Sequence, residues 1–270
     1  MTPGDHLQAV VRALGAPHGR ERSIKLRDQS ILANRFLLTV AREDIGVDAS
    51  ERVLAACRQV EMPQQFLDAV AAHVTPANMM HFGYEEEHDG RAYYKVYLER
   101  GEHLAAAMAS RPPVTDPFVL YHAFKWNNAD RNEQVMTRYL CHPRLERTAL
   151  LQRVAAVYAG QAERTPWHVL CELVAAASRR VPERELLYLD VTEDGTTRKS
   201  FDVNFYRAGL KVASVAPFLE RLAAHFRLSA DVVLDAFAGI HDLRLGHVAG
   251  GVDRRGRDFL TIYFGAKAAV

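Results

Sequence analysis

Met79-Met80-His81-Phe82-Gly83-Tyr84 is followed by His88-Asp89-Gly90-Arg91 and then by Tyr93-Tyr94-Lys95-Val96-Tyr97-Leu98. Two strand-like runs flank an Asp-Gly pair, and that pair tolerates the positive φ angles of a tight hairpin turn. Working outward, the pattern recurs. Runs 118–126 and 134–141 flank the turn-forming Asn127-Asn128-Ala129-Asp130-Arg131-Asn132, runs 186–191 and 199–206 flank Glu193-Asp194-Gly195, and runs 243–252 and 258–264 flank Asp253-Arg254-Arg255-Gly256. Between them the apolar spacing changes to three and four residues, which predicts helices over 145–158, 167–179, 215–226 and 230–237, and upstream over 50–60 and 63–74. Thr165-Pro166 and Ser229 with Asp231 mark helix starts. Nearer the N-terminus the best extended piece is Arg35-Phe36-Leu37-Leu38-Thr39-Val40; pairing it with 23–28 makes a fifth hairpin, although 30–39 also fits a helix.

Five hairpins make ten antiparallel strands, and an open sheet of that size would leave two unpaired edges that closure removes. The expected fold class is α/β (α+β): a ten-stranded antiparallel β-barrel surrounded by helices, built from ββαα repeats. It is expected to form one domain over residues 1–270, with 1–76 carrying the fewest signals.

Composition agrees with an enzyme-sized core and narrows the partners. The 270 residues are 49% hydrophobic and 25% charged, with a formal net charge of +1, so the broad basic surface of a nucleic-acid or anionic-membrane binder is absent. No apolar run approaches the roughly 20 residues of a membrane helix, and no signal peptide is read. The three cysteines, Cys57, Cys141 and Cys171, are far apart and form no zinc-type pair, so a reduced, cytoplasmic protein is expected. Twelve histidines include no HExxH or HxH grouping. The charge run Glu85-Glu86-Glu87-His88-Asp89 reads as a solvated hairpin tip, and glycine-rich 245–251 reads as strand rather than a phosphate-binding turn.

The return strands share a tripeptide: Lys95-Val96-Tyr97, Thr137-Arg138-Tyr139, Asn204-Phe205-Tyr206 and Thr261-Ile262-Tyr263. A polar residue and a tyrosine two apart project to the same face of a strand. Outer helices need the apolar face, which leaves the tyrosines for the lumen, although the preference of tyrosine for strands produces such a pattern too. If Asp89-Gly90 is a two-residue turn, Lys95 faces Tyr84 and Tyr97 faces Phe82, with Met80 and Tyr93 on the same side. A four-residue turn in the last hairpin sets Arg244, Gly246, Val248 and Gly250 beside Tyr263 and Thr261. Both pairings depend on register, since a one-residue slip reverses the faces.

The repeat order, with Tyr94-Lys95-Val96-Tyr97 and Asp202-Val203-Asn204-Phe205-Tyr206, makes 79–264 resemble the bacterial aromatic prenyltransferases of the ABBA type. The resemblance implies a barrel of ββαα repeats that transfers an isoprenoid from its diphosphate to an electron-rich aromatic carbon. Such chemistry needs cations at the leaving group and π-faces around the carbocation. Lys95 and Arg244 are then the expected diphosphate contacts, with Lys25 and Arg35 added if their hairpin forms. Tyr97, Tyr139, Tyr206 and Tyr263 would shield the cation, and Asn204, Thr137 and Thr261 would orient substrates beside Tyr84 and Phe82. Asp202 is the expected general base and His122 the second choice. The partners are small molecules, an isoprenoid diphosphate and an aromatic acceptor. No Asp-Asp-x-x-Asp run is present, so no metal-binding residues or resident cofactor are expected, and Mg²⁺ enters only through the diphosphate. Two alternatives stay open: a small-molecule-binding barrel without chemistry, and a lyase, isomerase or non-prenyl transferase on the same scaffold.

Overall fold

A computed structural model describes residues 1–159 and 164–267. Its strands are β1 (His18–Arg27), β2 (Ser30–Leu32), β3 (Arg35–Ala41), β4 (Met79–Glu86), β5 (Ala92–Glu99), β6 (Phe118–Asn127), β7 (Gln134–His142), β8 (Leu187–Thr192), β9 (Lys199–Asn204), β10 (Leu245–Val252) and β11 (Asp258–Lys267). The described helices are α1 (Pro3–Arg12), α2 (Arg42–Ile45), α3 (Ala49–Gln59), α4 (Gln64–His73), α5 (Gly101–Ala109), α6 (Arg147–Val157), α7 (Thr165–Ser178), α8 (Leu219–His225) and α9 (Ala230–Phe237). Each strand from β3 to β11 pairs antiparallel with the next, β3 pairs with β1, and β1 pairs with β11, so ten strands close into a barrel. The 30–39 segment is extended: short β2 pairs only with the end of β1, and β3 completes the fifth hairpin.

Alternation decides which face is which. On β5, Tyr94, Val96 and Leu98 join a helix-side cluster with Val53, Phe66 and Trp126, while Tyr93, Lys95 and Tyr97 point inward. A second helix-side cluster packs α6 to α9 against β8 to β11. Helix α1 lies outside the expected set. Its start is nonetheless written in Thr2-Pro3-Gly4-Asp5, where Thr2 and Asp5 form a reciprocal capping box, and Leu7, Val10 and Val11 pack inward.

Two registers differ from the sequence expectation. Glu87 N–H bonds the Arg91 carbonyl, so the first clear hairpin turns through three residues, with Gly90 at φ 80°. Lys95 therefore stands opposite Gly83 rather than Tyr84, and Met80, Phe82 and Tyr84 lie on the helix side in the apolar cluster. In the last hairpin Asp253 N–H bonds the Arg257 carbonyl, so the turn spans 254–256, Ala249 rather than Val248 pairs with Thr261, and Val248 packs outward; a bulge further on sets Gly246 and His247 together against Tyr263. Strand β9 stops at Asn204, so Tyr206 belongs to a 3₁₀ turn (Tyr206–Ala208) rather than to the strand. Loop geometry, not hydrophobic pattern, fixed each of these shifts.

Trp126 is fully buried, and its indole N–H donates to the Val60 carbonyl at 3.2 Å, tying β6 to the end of α3. Trp126→Ala is expected to lower unfolding stability by about 3–5 kcal/mol, measured by urea titration. A loss below about 0.5 kcal/mol, the level of surface substitutions, would contradict this packing.

Candidate active site

Lys95 on β5 stands directly opposite Lys125 on β6. Like charges so placed repel, and a carboxylate on β4 answers both. Glu85 lies 2.7 Å from Lys95 Nζ, 2.7 Å from Lys125 Nζ and 3.0 Å from Arg35 Nη2 of β3. Gly83 makes the room: a Cβ there would meet Leu37 Cδ2 at 2.8 Å and Lys95 Cβ at 3.1 Å. Burial alone would raise the Glu85 carboxyl, but Lys125, Lys95 and Arg35 hold it well below the usual range. Glu85 is thus the buried hub of a charge cluster, not part of a solvated tip.

Lys25 of β1 and Arg198 from the segment before β9 complete a recess of about 90 Å³, lined also by Thr137 and Thr261. Arg198 pairs with Glu193. Burial pulls the Lys25 amine down to about 7, against the support of Glu85, and its Nζ lies 5.0 Å from the Phe259 ring centre. Arg35 is buried, and its Nε and Nη1 have no hydrogen-bond partner among the described residues.

Tyr97, Tyr139 and Tyr263 line this recess and also a larger cavity of about 510 Å³. The Tyr97 and Tyr139 rings meet at 5.9 Å and 64°. Burial raises all three hydroxyls, that of Tyr139 to about 12, so the partition between the cavities is aromatic and uncharged.

Beyond it the charge changes sign. His247 Nδ1 lies 2.7 Å from Asp202 Oδ2, its Nε2 lies 3.4 Å from Glu21 Oε2, and its ring stacks on Tyr263 at 3.7 Å and 12°. The Tyr206 hydroxyl donates to Glu21, and Gly246 is small where a Cβ would collide with both. Burial alone would lower the His247 imidazole, yet Asp202 and Glu21 raise it to about 10. An imidazolium therefore sits between two carboxylates.

Of the residues expected from sequence, Lys95, Thr137 and Thr261 meet in the recess, Tyr97, Tyr139 and Tyr263 form the partition, and Asp202, Asn204 and Tyr206 line the larger chamber. Four expected residues are elsewhere. Tyr84 and Phe82 face the helices because of the three-residue turn. His122 stacks on His73 of α4 at 3.9 Å on the outer face, where burial and neighbouring His73 and Arg100 lower it to about 4. Arg244 precedes β10, is exposed and donates to the Tyr206 carbonyl. Glu21, Glu85, Lys125, Arg198 and His247 were not anticipated. Lys125, a lone charge in Phe124-Lys125-Trp126, was the most legible of them; the others depend on register or on loop placement.

No protein-family model and no curated protein sequence matches the chain. Solved structures do. The chain is similar to a 6-dimethylallyl tryptophan synthase, with TM-score 0.57 and 16% identity over 91% of this chain and 80% of that one. It is also similar to AnaPT from Neosartorya fischeri, with TM-score 0.51 and 12% identity over 94% and 78%. A third is NotF, solved in complex with brevianamide F and DMSPP, with TM-score 0.53 and 11% identity over 94% and 81%. At these identities the likeness is one of fold.

The His247 ion pairs carry a pH signature. An imidazole raised to about 10 from its ordinary 6.5 stabilises the fold fully below pH 6.5, and that contribution disappears as pH rises through about 10. Lys25 acts oppositely: neutral in the fold above about 7 and protonated in the unfolded chain up to 10.5, it adds stability as pH rises over that window. The Lys25 effect is common to wild type and His247→Gln and cancels in their difference. Denaturant titrations across this range should show wild type exceeding the variant most at low pH, converging near pH 10; a difference independent of pH would contradict the ion pair.

Proposed function

We propose that this chain, which has the barrel fold of the aromatic prenyltransferases, moves a prenyl group from an isoprenoid diphosphate to an aromatic small molecule within its lumen. The observation that carries the proposal is Arg35: a buried guanidinium with two open N–H groups, in a recess shared with Lys25, Lys95, Lys125 and Arg198. Buried donors left unpaired are costly, and a polyanion with several acceptor oxygens satisfies them. Glu85 and Glu193 offset part of this charge and burial lowers the Lys25 and Lys95 amines, so the always-charged Arg35 and Arg198 favour a diphosphate, whose own charge draws protons back onto both amines.

In this proposal the allylic C–O bond breaks and its electron pair leaves on the diphosphate, stabilised by the recess cations. The carbocation rests against the faces of Tyr97, Tyr139 and Tyr263, which attract a cation and exclude water. The acceptor occupies the 510 Å³ chamber, where its ring carbon attacks and its ring proton passes to a carboxylate of the Glu21–His247–Asp202 group. His247 holds that group without accepting the proton, since both its nitrogens face carboxylates. Among the described residues no group of three or more His, Cys, Asp or Glu could hold a metal ion, and three cations already engage the recess carboxylate Glu85. In this proposal Mg²⁺ enters only with the diphosphate. Among the described residues no helix is long and apolar enough to cross a membrane.

Calorimetric titration with dimethylallyl, geranyl and farnesyl diphosphates, with pyrophosphate as control, tests the proposal. One prenyl chain should bind more tightly than pyrophosphate. Lys125→Met should weaken that binding by about 10- to 100-fold, the worth of one charge-assisted hydrogen bond, and exposed Arg244→Ala should leave it unchanged. Absence of binding at millimolar ligand would overturn the assignment.

A further inference from the structure

Facing Asp202 across the lumen is a second histidine with different partners. Strands β4 and β9 are five places apart in either direction around the ten-stranded barrel, so His81 and Asp202 occupy opposite walls of the larger chamber. Thr39 is the direct cross-strand partner of His81, and its Oγ1 lies 2.8 Å from His81 Nδ1. His81 Nε2 lies 2.8 Å from Glu99 Oε2. The Glu99 carboxylate lies near the Tyr121 hydroxyl and helps raise it, and the Tyr97 and Tyr121 rings flank the imidazole at 6.3 and 5.8 Å. Thr39, His81 and Glu99 all line the chamber.

Partners alone assign the protons. A carboxylate only accepts, so His81 Nε2 carries hydrogen for Glu99, while Nδ1 faces a hydroxyl that can donate. His247 differs, because each of its nitrogens faces a carboxylate. Of the two imidazoles that line the chamber among the described residues, His81 is the one that keeps a lone pair, directed at Thr39.

We propose that Thr39, His81 and Glu99 form a proton relay that accepts the ring-hydroxyl proton of the acceptor, so that the acceptor is a phenol-type aromatic. The inference rests on the prenyl-transfer assignment above and specifies its substrate class. The substrate O–H proton moves to Thr39 Oγ1 as the Thr39 proton moves to His81 Nδ1, and Glu99 holds the Nε2–H of the resulting imidazolium. Once the allylic C–O bond has broken and its electron pair has left on the diphosphate, the phenolate ring carbon attacks the carbocation and forms the C–C bond, giving a neutral dienone. The dienone loses its ring proton to Glu21 or Asp202, and the proton on His81 returns through Thr39 to the product oxygen. The relay ends as it began, and one proton has moved from carbon to a carboxylate.

Binding tests the relay without turnover. In equilibrium dialysis, 2-naphthol should bind at least about tenfold more tightly than 2-methoxynaphthalene, because a site built around a substrate hydroxyl rejects the analogue that cannot donate. Thr39→Val should abolish that preference and Thr39→Ser should keep it. Equal affinity for the two probes in the wild type overturns the inference, whether or not a prenyl diphosphate binds. Failure of every prenyl diphosphate to bind, with the naphthol preference intact, instead overturns the prenyl-transfer assignment. Under turnover, His81→Asn should slow prenylation of 2-naphthol by about 10²- to 10⁴-fold and of 4-nitrophenol, which ionises near neutral pH, far less. An equal loss on both would reduce His81 to a structural residue and overturn the relay.

Discussion

Glu85 lies where Arg35, Lys95 and Lys125 converge, and the polarity of the barrel depends on that contact. Cations taken from water into a protein interior are costly unless paired, and removing the counter-charge from such a group leaves the rest uncompensated. One buried carboxylate spanning β3 to β6 lets the recess hold several positive groups and still fold. It does not neutralise them, and the surplus, with the open N–H groups of Arg35, remains directed into the cavity. The same ion pairs stitch neighbouring strands together across the lumen face, where no apolar core is available to do so. The charge that the proposal assigns to diphosphate binding and the charge that holds the strands together are therefore on the same atoms.

The tyrosine partition gives this polarity a direction. On one side lie Lys25, Arg35, Lys95, Lys125 and Arg198; on the other lie Glu21, Asp44, Glu99 and Asp202, together with Arg20, His247 and Lys267. Three neutral, half-buried phenols separate them, and a site with cations behind aromatic faces and carboxylates beyond suits a reaction in which an anion departs, a carbocation forms and a proton must be collected. The bulge at Gly246 and His247 is part of the arrangement. His247 faces inward by alternation from Ala249 and stacks on Tyr263, and the bulge sets Gly246 beside it, leaving the space that Glu21 and Tyr206 need. The two histidine groups then differ by their partners alone, one closed between carboxylates and one open to a hydroxyl.

Much of the architecture was legible in the chain. Alternating runs around Asp-Gly and Asn-rich turns, with helical spacing between them, specify hairpins and helices through local geometry, and edge closure makes the barrel the economical solution. The shared tripeptide placed Lys95, Tyr97, Thr137, Tyr139, Thr261 and Tyr263 on the lumen, because a period-two pattern within one strand needs no knowledge of its neighbours. Asp202 and Asn204 followed by the same rule. Tyr206 reached the chamber for a different reason, since it belongs to a 3₁₀ turn beyond its strand.

What failed was whatever depended on pairing between strands. One extra residue in the 88–90 turn moved Tyr84 and Phe82 to the helix side, and the odd length of the 254–256 turn put Ala249 and His247 on the lumen in place of Val248; His122, one residue out of step with the inward Tyr121 and Ala123 of its own strand, lies against α4. Glu85 looked like part of a solvated acidic run because sequence shows its acidic neighbours but not the three cations that arrive from β3, β5 and β6. The sequence by itself determined the strands, the helices and the tyrosine face, all of which follow from interactions within a few residues. Only the tertiary structure decided which charges meet, because a one-residue change of register moves a side chain to the opposite face and a buried ion pair exists only where distant strands are brought together.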